Sequence, residues 1–320
     1  MKRPIQLGSI LSIILFSILS ASVSKAQSSR SAVVYFDRGN ASFSNGNLDA
    51  AITDYGAAIV FDPRYALAYF KRGQARQHKA DVDGAIADYT RAIEINPRLA
   101  AAYNNRGNAR QAHGDLAEAL ADFNRAIEIN PSDALVYSNR GNVRKALSDF
   151  DGALADYSKS IKLDPRLTEA YVGRACVYYE KGELANALVD CSKAISIDPR
   201  QAEAYVNRGA ISRDVGELDR ALADFNTAID LDPNLAIAYN NRGAIRSTRG
   251  EMDAAIADYD RSIALDPGLA LAYLNRGLTL LSQGKTFEAE RDFTLCLRSD
   301  RRLKEKIEIL RKRVEGGVMK

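Results

Sequence analysis

The sequence predicts an all-α fold, a solenoid of eight helix pairs that a final helix covers. A tyrosine and a proline each recur at a fixed interval of about 34 residues, and between them the apolar residues follow a helical period. The tyrosines are Tyr35, Tyr69, Tyr103, Tyr137, Tyr171, Tyr205, Tyr239 and Tyr273, and the prolines are Pro63, Pro97, Pro131, Pro165, Pro199, Pro233 and Pro267. A single helix pair cannot bury its apolar faces alone, so the succession predicts a continuous stack.

The third interval, Leu99–Ser132, shows how one unit is expected to fold. Gly114 can adopt the left-handed conformation that ends a first helix. Asp115 can then cap a second helix, and Pro131 stops that helix shortly after Ile129. Six units have glycine at this turn, and the other two have Ala80 and Ser148.

The unit resembles the tetratricopeptide repeat (TPR), whose pattern is W-x2-L-G-x2-Y, then A-x3-F, then P. The third unit matches it as Tyr103, Arg106, Gly107, Arg110, Ala119, Phe123 and Pro131. Tyrosine replaces the tryptophan and arginine replaces the leucine in every unit, while Cys191 alone breaks the Tyr/Phe series. The resemblance covers residues 31–302 and implies a right-handed α-solenoid of eight TPR helix pairs.

The first 26 residues differ in character from the repeats. Lys2 and Arg3 precede an apolar run, Leu7–Val23, and Ser24-Lys25-Ala26 places small residues where a signal peptidase cleaves. This arrangement is typical of an export signal, so the mature protein is expected to be periplasmic or secreted. The alternative is an uncleaved anchor helix, since the length of this run is close to the lower limit for spanning a bilayer; a membrane is expected as a partner only in that case.

The two ends of the repeat array have separate expectations. Residues 27–30 are interpreted as a short linker. Residues 303–315 are predicted to form a capping helix, because Leu303, Ile307, Leu310 and Val314 form one apolar stripe. Residues 316–320, which begin at Gly316-Gly317, are interpreted as a tail.

The charge balance and the residue content exclude several function classes. The chain has 44 Lys and Arg and 41 Asp and Glu, and loss of Lys2, Arg3 and Lys25 with the signal leaves no net charge. Nucleic-acid binders carry a clear basic excess, so no nucleic-acid partner is expected. His78 and His113 have no Cys or carboxylate cluster at ligand spacing, which predicts no metal site. No phosphate loop or catalytic triad fits the repeats, so neither an enzyme nor a cofactor is expected.

The three cysteines occupy repeat positions. Cys191 and Cys296 fall at core positions, where cysteine serves as a small hydrophobe. Cys176 and Cys191 belong to neighbouring antiparallel helices, so a disulfide between them is conceivable but not favoured.

The TPR resemblance implies that the first helices line a concave groove that binds protein or extended peptide. Asparagine recurs there beside the Arg-Gly step, and its amide can pair with a peptide backbone of any sequence. The series resembles the asparagine ladder of O-GlcNAc transferases; alternatively, the residues are merely solvated helix positions. The predicted groove residues are Asn40, Asn105, Asn108, Asn139, Asn142, Asn207, Asn241 and Asn275.

The arginine that replaces the family's leucine is matched in every unit by an aspartate at a constant spacing along the chain. The structural ion pairs predicted within the units are Arg38 with Asp54, Arg72 with Asp88, Arg106 with Asp122, Arg140 with Asp156, Arg174 with Asp190, Arg208 with Asp224, Arg242 with Asp258, and Arg276 with Asp292. The competing geometry pairs each aspartate with the arginine of the next unit. The functional alternative, an anionic ligand bound by the arginines, is less favoured because each charge already has a partner.

Three functions fit these observations. The first is an exported scaffold or adaptor that binds an extended polypeptide segment in the groove. The second is an architectural or recruiting subunit of a cell-envelope complex, which would use its edges or ends. The third is a regulatory subunit of an enzyme on another chain. The asparagine series favours the first.

Overall fold

The computed structural model describes residues 27–315, and within that range every regular element is helical. Above the level of the single repeat, the chain forms two compact units. The first unit ends at Leu163, the last residue of the fourth helix pair, and the second begins at Asp164. The predicted export signal and the tail lie outside the described residues. Each unit contains four helix pairs, so the all-α prediction of eight pairs is confirmed.

In the first unit, α1 covers residues 27–44 and opens the first pair. The other helices are α2 (Leu48–Phe61), α3 (Ala66–His78), α4 (Val82–Ile95), α5 (Ala100–His113), α6 (Leu116–Ile129), α7 (Ala134–Ala146) and α8 (Phe150–Leu163). Helices α2, α4 and α6 pack against α3, α5 and α7, and the first helices α3, α5 and α7 also contact one another in sequence. The expected linker, residues 27–30, is already part of α1, where the Ser28 hydroxyl donates a hydrogen bond to the Phe61 carbonyl at 2.6 Å.

The second unit repeats this arrangement and adds a final helix. Its helices are α9 (Thr168–Glu180), α10 (Leu184–Ile197), α11 (Ala202–Asp214), α12 (Leu218–Leu231), α13 (Ala236–Thr248), α14 (Met252–Leu265), α15 (Ala270–Ser282), α16 (Thr286–Ser299) and α17 (Lys304–Glu315), with a 3₁₀ turn at Arg301–Leu303. Helix α17 packs against α15. The predicted stripe of Leu303, Ile307, Leu310 and Val314 lies in one apolar cluster with Leu278 and Phe293.

The turns inside the pairs have the predicted backbone. Gly114 has φ 98°, and the equivalent glycines of five other pairs also have positive φ. Ala80 and Ser148 adopt φ 60° and 61° at the same turn, although residues with a Cβ are strained there. The expected cap at Asp115 is not made: this residue lies at the N-cap, but its carboxylate contacts His113 Nδ1 at 3.0 Å instead of a backbone amide.

An aromatic ring against a glycine holds the two helices of seven pairs together. In the third pair, a Cβ on Gly107 would lie 2.8 Å from the Phe123 ring, so no side chain fits between the helices. The other six combinations are Gly39 with Tyr55, Gly73 with Tyr89, Gly141 with Tyr157, Gly209 with Phe225, Gly243 with Tyr259, and Gly277 with Phe293. The spacing from glycine to ring is the same in every combination, and all seven rings are buried.

The fifth pair solves the same packing problem with different residues. Ala175 stands at the position of the glycine and Cys191 at the position of the ring; both are fully buried. The smaller thiol side chain leaves room for the alanine methyl group. The two substitutions therefore compensate each other in volume across the α9–α10 contact.

Candidate functional site: the first-helix face and its ion pairs

In all eight pairs, the predicted arginine lies beside the aspartate of its own pair. In the third pair, Arg106 Nε and Nη2 donate to Asp122 Oδ2 and Oδ1 at 2.9 and 2.7 Å. Six other arginines make the same two-pronged contact, while Arg38 directs Nε and Nη2 to one oxygen of Asp54. The aspartates are only 2–5% exposed. A planar guanidinium that meets a buried carboxylate in this way forms a strong, geometrically defined pair.

Each arginine also covers the repeated tyrosine that precedes it by one helical turn. The guanidinium carbon lies 4.7–5.9 Å from the centre of that ring in the eight pairs, within the range of cation–π attraction. The replacement of the family's leucine by arginine therefore joins the tyrosine and the aspartate in one cluster.

The remaining nitrogen, Nη1, links neighbouring pairs at Arg106, Arg140, Arg242 and Arg276. Arg140 Nη1 donates to Asn124 Oδ1 at 2.7 Å, and Arg276 Nη1 donates to Asp260 Oδ1 at 2.6 Å. Both acceptors belong to the second helix of the preceding pair. The next arginine along the chain thus contacts the residue two positions after the aspartate, which differs from the competing geometry that the sequence left open.

A second arginine reinforces four of the aspartates. Arg144 Nη1, one helical turn after Arg140, donates to Asp156 Oδ2 at 2.9 Å. Arg76, Arg110 and Arg246 make the equivalent contact with Asp88, Asp122 and Asp258. In the sixth pair this position is Ser212, which offers Asp224 no second cation beside Arg208.

The arginines are therefore engaged in contacts within the protein. The hydrogen bond to the paired aspartate raises the pKa of Arg174, Arg208 and Arg276. An anionic ligand would have to displace a buried carboxylate from this contact. The arrangement supports a structural role for the eight pairs.

Asn104, Asn105 and Asn139 of the first unit are held by amide–amide hydrogen bonds. We use "first-helix face" for the surface of each unit that carries the predicted groove asparagines. These are Asn40, Asn105, Asn108, Asn139 and Asn142 in the first unit and Asn207, Asn241 and Asn275 in the second. Asn139 Nδ2 donates to Asn104 Oδ1 at 2.9 Å, and Asn104 Nδ2 donates to Asn105 Oδ1 at 3.2 Å. Asn104 is buried, whereas Asn105 and Asn139 are half-buried. Their amides are thus oriented before any partner arrives, with donor and acceptor capacity left over.

The second unit contains the same arrangement. Asn275 Nδ2 donates to Asn240 Oδ1 at 2.9 Å, and Asn240 Nδ2 donates to Asn241 Oδ1 at 3.3 Å. Arg213 Nη1 also reaches Asn241 Oδ1, at 3.4 Å. A pocket of 390 Å³ opens beside these residues, and its lining includes Asn241, Asn275, Arg213 and Lys306.

The other predicted asparagines have separate surroundings. Asn40 and Asn142 accept hydrogen bonds from the hydroxyls of Tyr55 and Tyr157 at 2.9 and 2.7 Å. Asn108 makes no side-chain hydrogen bond within the described residues; the ring of its pair is Phe123, which has no hydroxyl. Asn207 Nδ2 points to Cys176 Sγ at 3.5 Å.

Two further asparagines of this face, Asn104 and Asn240, were not among the predicted residues. Asn104 accepts a hydrogen bond from Asn139 of the next first helix, and Asn240 accepts one from Asn275, so each links two first helices. The doubled asparagine before Arg106 and before Arg242 is the sequence signal that could have found them.

The remaining candidate groups make local contacts. His113 is exposed, and its hydrogen bond to Asp115 raises its pKa. Cys176, Cys191 and Cys296 are thiols in the structure, and burial raises the pKa of Cys191 to about 12. Residues 27–315 contain no group of three or more His, Cys, Asp or Glu side chains able to hold a metal ion. No helix in the same range is long and apolar enough to span a membrane.

Two known protein families match the repeats of this chain. The family described as TPR repeat matches residues 39–79, 81–114, 175–212, 211–247 and 248–284, and the tetratricopeptide repeat matches residues 100–133 and 134–167. The chain belongs to the tetratricopeptide repeat family. Such proteins are generally scaffolds for protein interactions. No curated protein matches the chain significantly.

Solved structures share the fold of this TPR protein. A tetratricopeptide repeat protein from Parabacteroides merdae is 20% identical with a TM-score of 0.65, over 78% of this chain and 99% of that one. Pseudomonas aeruginosa PilF is 19% identical with a TM-score of 0.58, over 66% and 96% of the two chains. Yeast Tom70 is 21% identical with a TM-score of 0.56, over 84% and 60%. At these identities the likeness concerns the fold alone.

Proposed function

We propose that this TPR protein is an exported scaffold or adaptor, periplasmic or secreted, that binds an extended segment of a partner protein along the first-helix face. An extended segment presents a backbone N–H and C=O at every residue. Amide side chains can satisfy both groups whatever the segment's sequence.

The observation that carries the proposal is the orientation of the asparagine amides. Asn139, Asn104 and Asn105 in the first unit, and their counterparts in the second, are fixed by one hydrogen bond between neighbouring first helices and one within a first helix. A fixed amide loses little conformational entropy when a partner binds, which favours affinity. Asparagine is also a poor helix former, so its recurrence in helix interiors is unfavourable unless its side chain interacts.

A quadruple variant tests this binding mode. Asn105, Asn108, Asn139 and Asn142 are replaced together by alanine, and partners are captured from an envelope extract and identified by mass spectrometry. We expect the variant to keep its helical circular dichroism and to lose partner capture. Each single replacement should weaken the binding of the captured segment by about 1 kcal/mol, roughly fivefold in Kd.

A matched control replaces two exposed asparagines away from this face, Asn186 and Asn234. This control should capture the partner as the wild type does. Undiminished capture by the quadruple variant would refute the binding mode and would favour an architectural or recruiting subunit that uses its edges or ends. A co-purified enzymatic activity that disappears when the chains are separated would favour a regulatory subunit.

Export has its own test. The basic residues, apolar run and small residues of Met1–Ala26 support cleavage before Gln27. N-terminal sequencing of protein from the envelope or medium should begin near Gln27. Recovery of the chain from the cytosol with Met1–Ala26 intact would contradict export.

A further inference from the structure

The pocket on the first-helix face of the second unit has an uneven charge. Its volume is 390 Å³, and its lining includes Arg213 of α11, Asn241 of α13, Asn275 of α15 and Lys306 of α17. Two cationic side chains therefore border it, whereas no Asp or Glu is among the described residues that line it. This balance favours an anionic group of a ligand.

Lys306 is the cation of this pocket whose charge is not compensated. Its side chain is exposed and makes no salt bridge or hydrogen bond with any residue in the range 27–315. Arg213, in contrast, directs Nε and Nη2 to Asp214 Oδ1, each at 2.9 Å. An anionic group that pairs with Lys306 thus has no carboxylate of the protein to displace, unlike a ligand of the eight arginines that pair with aspartates.

The amide of Asn241 has only its nitrogen left for a ligand. This residue is 8% exposed, and its Oδ1 accepts hydrogen bonds from Asn240 Nδ2 at 3.3 Å and from Arg213 Nη1 at 3.4 Å. Its Nδ2 donates to no acceptor among the described residues. An ionised carboxylate offers acceptors alone and carries the charge that Lys306 lacks as a partner, so it fits both groups.

The rest of the lining suits the aliphatic part of such a ligand. Leu218, Ala244, Ile245 and Leu271 also border the pocket. Ile245 is buried, and the other three are partly or fully accessible. Methylene groups can therefore pack on this side of the pocket while a carboxylate contacts the polar side.

The first unit provides an internal comparison. Its three bonded asparagines make the same two amide–amide contacts, but Gln77 stands at the position of Arg213. Gln77 and Asn105, the equivalents of Arg213 and Asn241, line a pocket of 230 Å³ that no lysine or arginine of the described residues borders. The asparagines are thus held without cations, so the cations of the second unit are not needed to build this face.

We propose that the pocket beside Lys306 binds a carboxylate of the partner segment, which pairs with the lysine and accepts a hydrogen bond from Asn241 Nδ2. Helix α17 then covers the last repeat and also contributes to the binding face. The proposal rests on the proposed function, because it assigns a charge preference to a segment that the asparagines hold by its backbone. An Asp or Glu side chain and the C-terminus of the segment share this chemistry, and the test distinguishes them.

The test uses three short peptides whose binding is followed by NMR through the side-chain amide of Asn241. The first is Gly-Ser-Ala-Glu-Ala-Ser-Gly with blocked ends, the second has Gln in place of Glu, and the third has Gln and a free C-terminal carboxylate. We expect the Glu peptide to bind about threefold to fivefold more tightly than the Gln peptide at low salt, because the pair with Lys306 stays partly in water. The difference should vanish at about 1 M salt, where charges are screened within roughly 3 Å.

The third peptide identifies the source of the carboxylate. If it binds more tightly than the blocked Gln peptide while the Glu peptide does not, the group is the C-terminus of the segment. If the Glu peptide alone is preferred, the group is an acidic side chain. Equal binding of all three peptides would overturn the proposal.

Lys306→Gln tests the cation and has a matched control on the same helix. This variant should keep the wild-type circular dichroism and lose the preference for the carboxylate peptide, whereas Lys306→Arg should retain it. Lys312→Gln removes the same charge from an exposed residue of α17 that does not line the pocket, and it should leave the preference unchanged. An equal loss in Lys306→Gln and Lys312→Gln would indicate a general effect of net charge and would overturn the proposal.

Asn241→Asp tests the hydrogen bond with nearly the same side-chain shape. The aspartate can still accept from Asn240, but it replaces the donor with a carboxylate near Lys306. The variant should therefore lose the preference for the carboxylate peptide. Retention of that preference would refute the contact with Asn241.

The outcomes separate this pocket from the asparagine binding mode, because the quadruple variant changes only residues of the first unit. If that variant loses partner capture but the wild type binds all three peptides equally, the pocket proposal fails and the proposed function stands. If the quadruple variant captures partners normally while Lys306→Gln removes the carboxylate preference, the asparagine binding mode fails and the pocket stands.

Discussion

The pair of Arg208 and Asp224 offers the clearest measurement of what the repeated arginine contributes. Arg208 donates to both oxygens of Asp224, at 2.9 and 2.7 Å, and the aspartate is 4% exposed. Loss of one partner from a buried pair costs about 3–5 kcal/mol, because the other charge remains buried and unpaired. The Arg208 side chain is still 19% exposed, so we expect Arg208→Leu to cost about 3 kcal/mol.

The fourth pair provides a matched control. Asp156 contacts both Arg140 and Arg144, so Arg140→Leu leaves its carboxylate with a cation at 2.9 Å. Arg140→Leu should therefore lower the unfolding free energy only by the value of hydrogen bonds to a charged group, about 1.5–3 kcal/mol. The loss should lie near the lower value, because Arg144 still pairs with the carboxylate. The same substitution should therefore destabilise the sixth pair more than the fourth.

A double-mutant cycle in the sixth pair measures the coupling. Arg208→Leu, Asp224→Leu and the double variant are unfolded in urea and followed by circular dichroism at 222 nm. The double variant should lose less unfolding free energy than either single variant, because no unpaired charge remains. A double variant whose loss equals the sum of the two single losses would show that the side chains do not interact.

Two further predictions concern the turns and the buried tyrosines. Ala80→Gly removes the strain of a side chain at positive φ, although glycine also gives the unfolded chain more conformational entropy. The net result should be a stabilisation of about 0.5–1 kcal/mol, measured as a rise in the urea midpoint. Burial raises the pKa of Tyr55 to about 12 from the ordinary value of 10.0 and also raises that of Tyr89 and Tyr259. The folded state thus keeps protons that the unfolded state loses, so unfolding free energy should fall as pH rises from about 10 to 12. Absorbance at 295 nm should show these tyrosines ionising only with the loss of helix.

The helices were predictable because one physical rule repeats along the chain. The apolar period, the left-handed turn position and the closing proline each recur at the same interval. The helix boundaries expected in one repeat are therefore supported by the equivalent positions of the other repeats. Even Ala80 and Ser148 adopt positive φ, because the packing of their pairs outweighs the strain of the turn. Asp115 did not follow its expected role, since the neighbouring His113 competes for its carboxylate.

The side-chain contacts between pairs were harder to predict. The spacing of arginine and aspartate within a pair indicated which residues face each other, but the contact of Arg140 with Asn124 depends on how successive pairs stack. The bond between Asn139 and Asn104 depends on the same stacking. Sequence periodicity places a residue on a helix face, whereas these distances depend on how closely the helices of successive pairs approach each other.

The fifth pair shows how a departure from the repeat keeps the packing that the other pairs achieve with a glycine and a ring. A position that is the same in every pair, such as the arginine, is explained by packing that every pair needs. The exchange of glycine and ring for Ala175 and Cys191 keeps the α9–α10 contact closed, because both side chains are fully buried. Cys191 opposite a glycine would leave a cavity, and a cavity costs stability. An alanine opposite a full ring would clash, since a Cβ built at the glycine of the other pairs lies 2.7–2.9 Å from the ring, so the two substitutions are compatible only together.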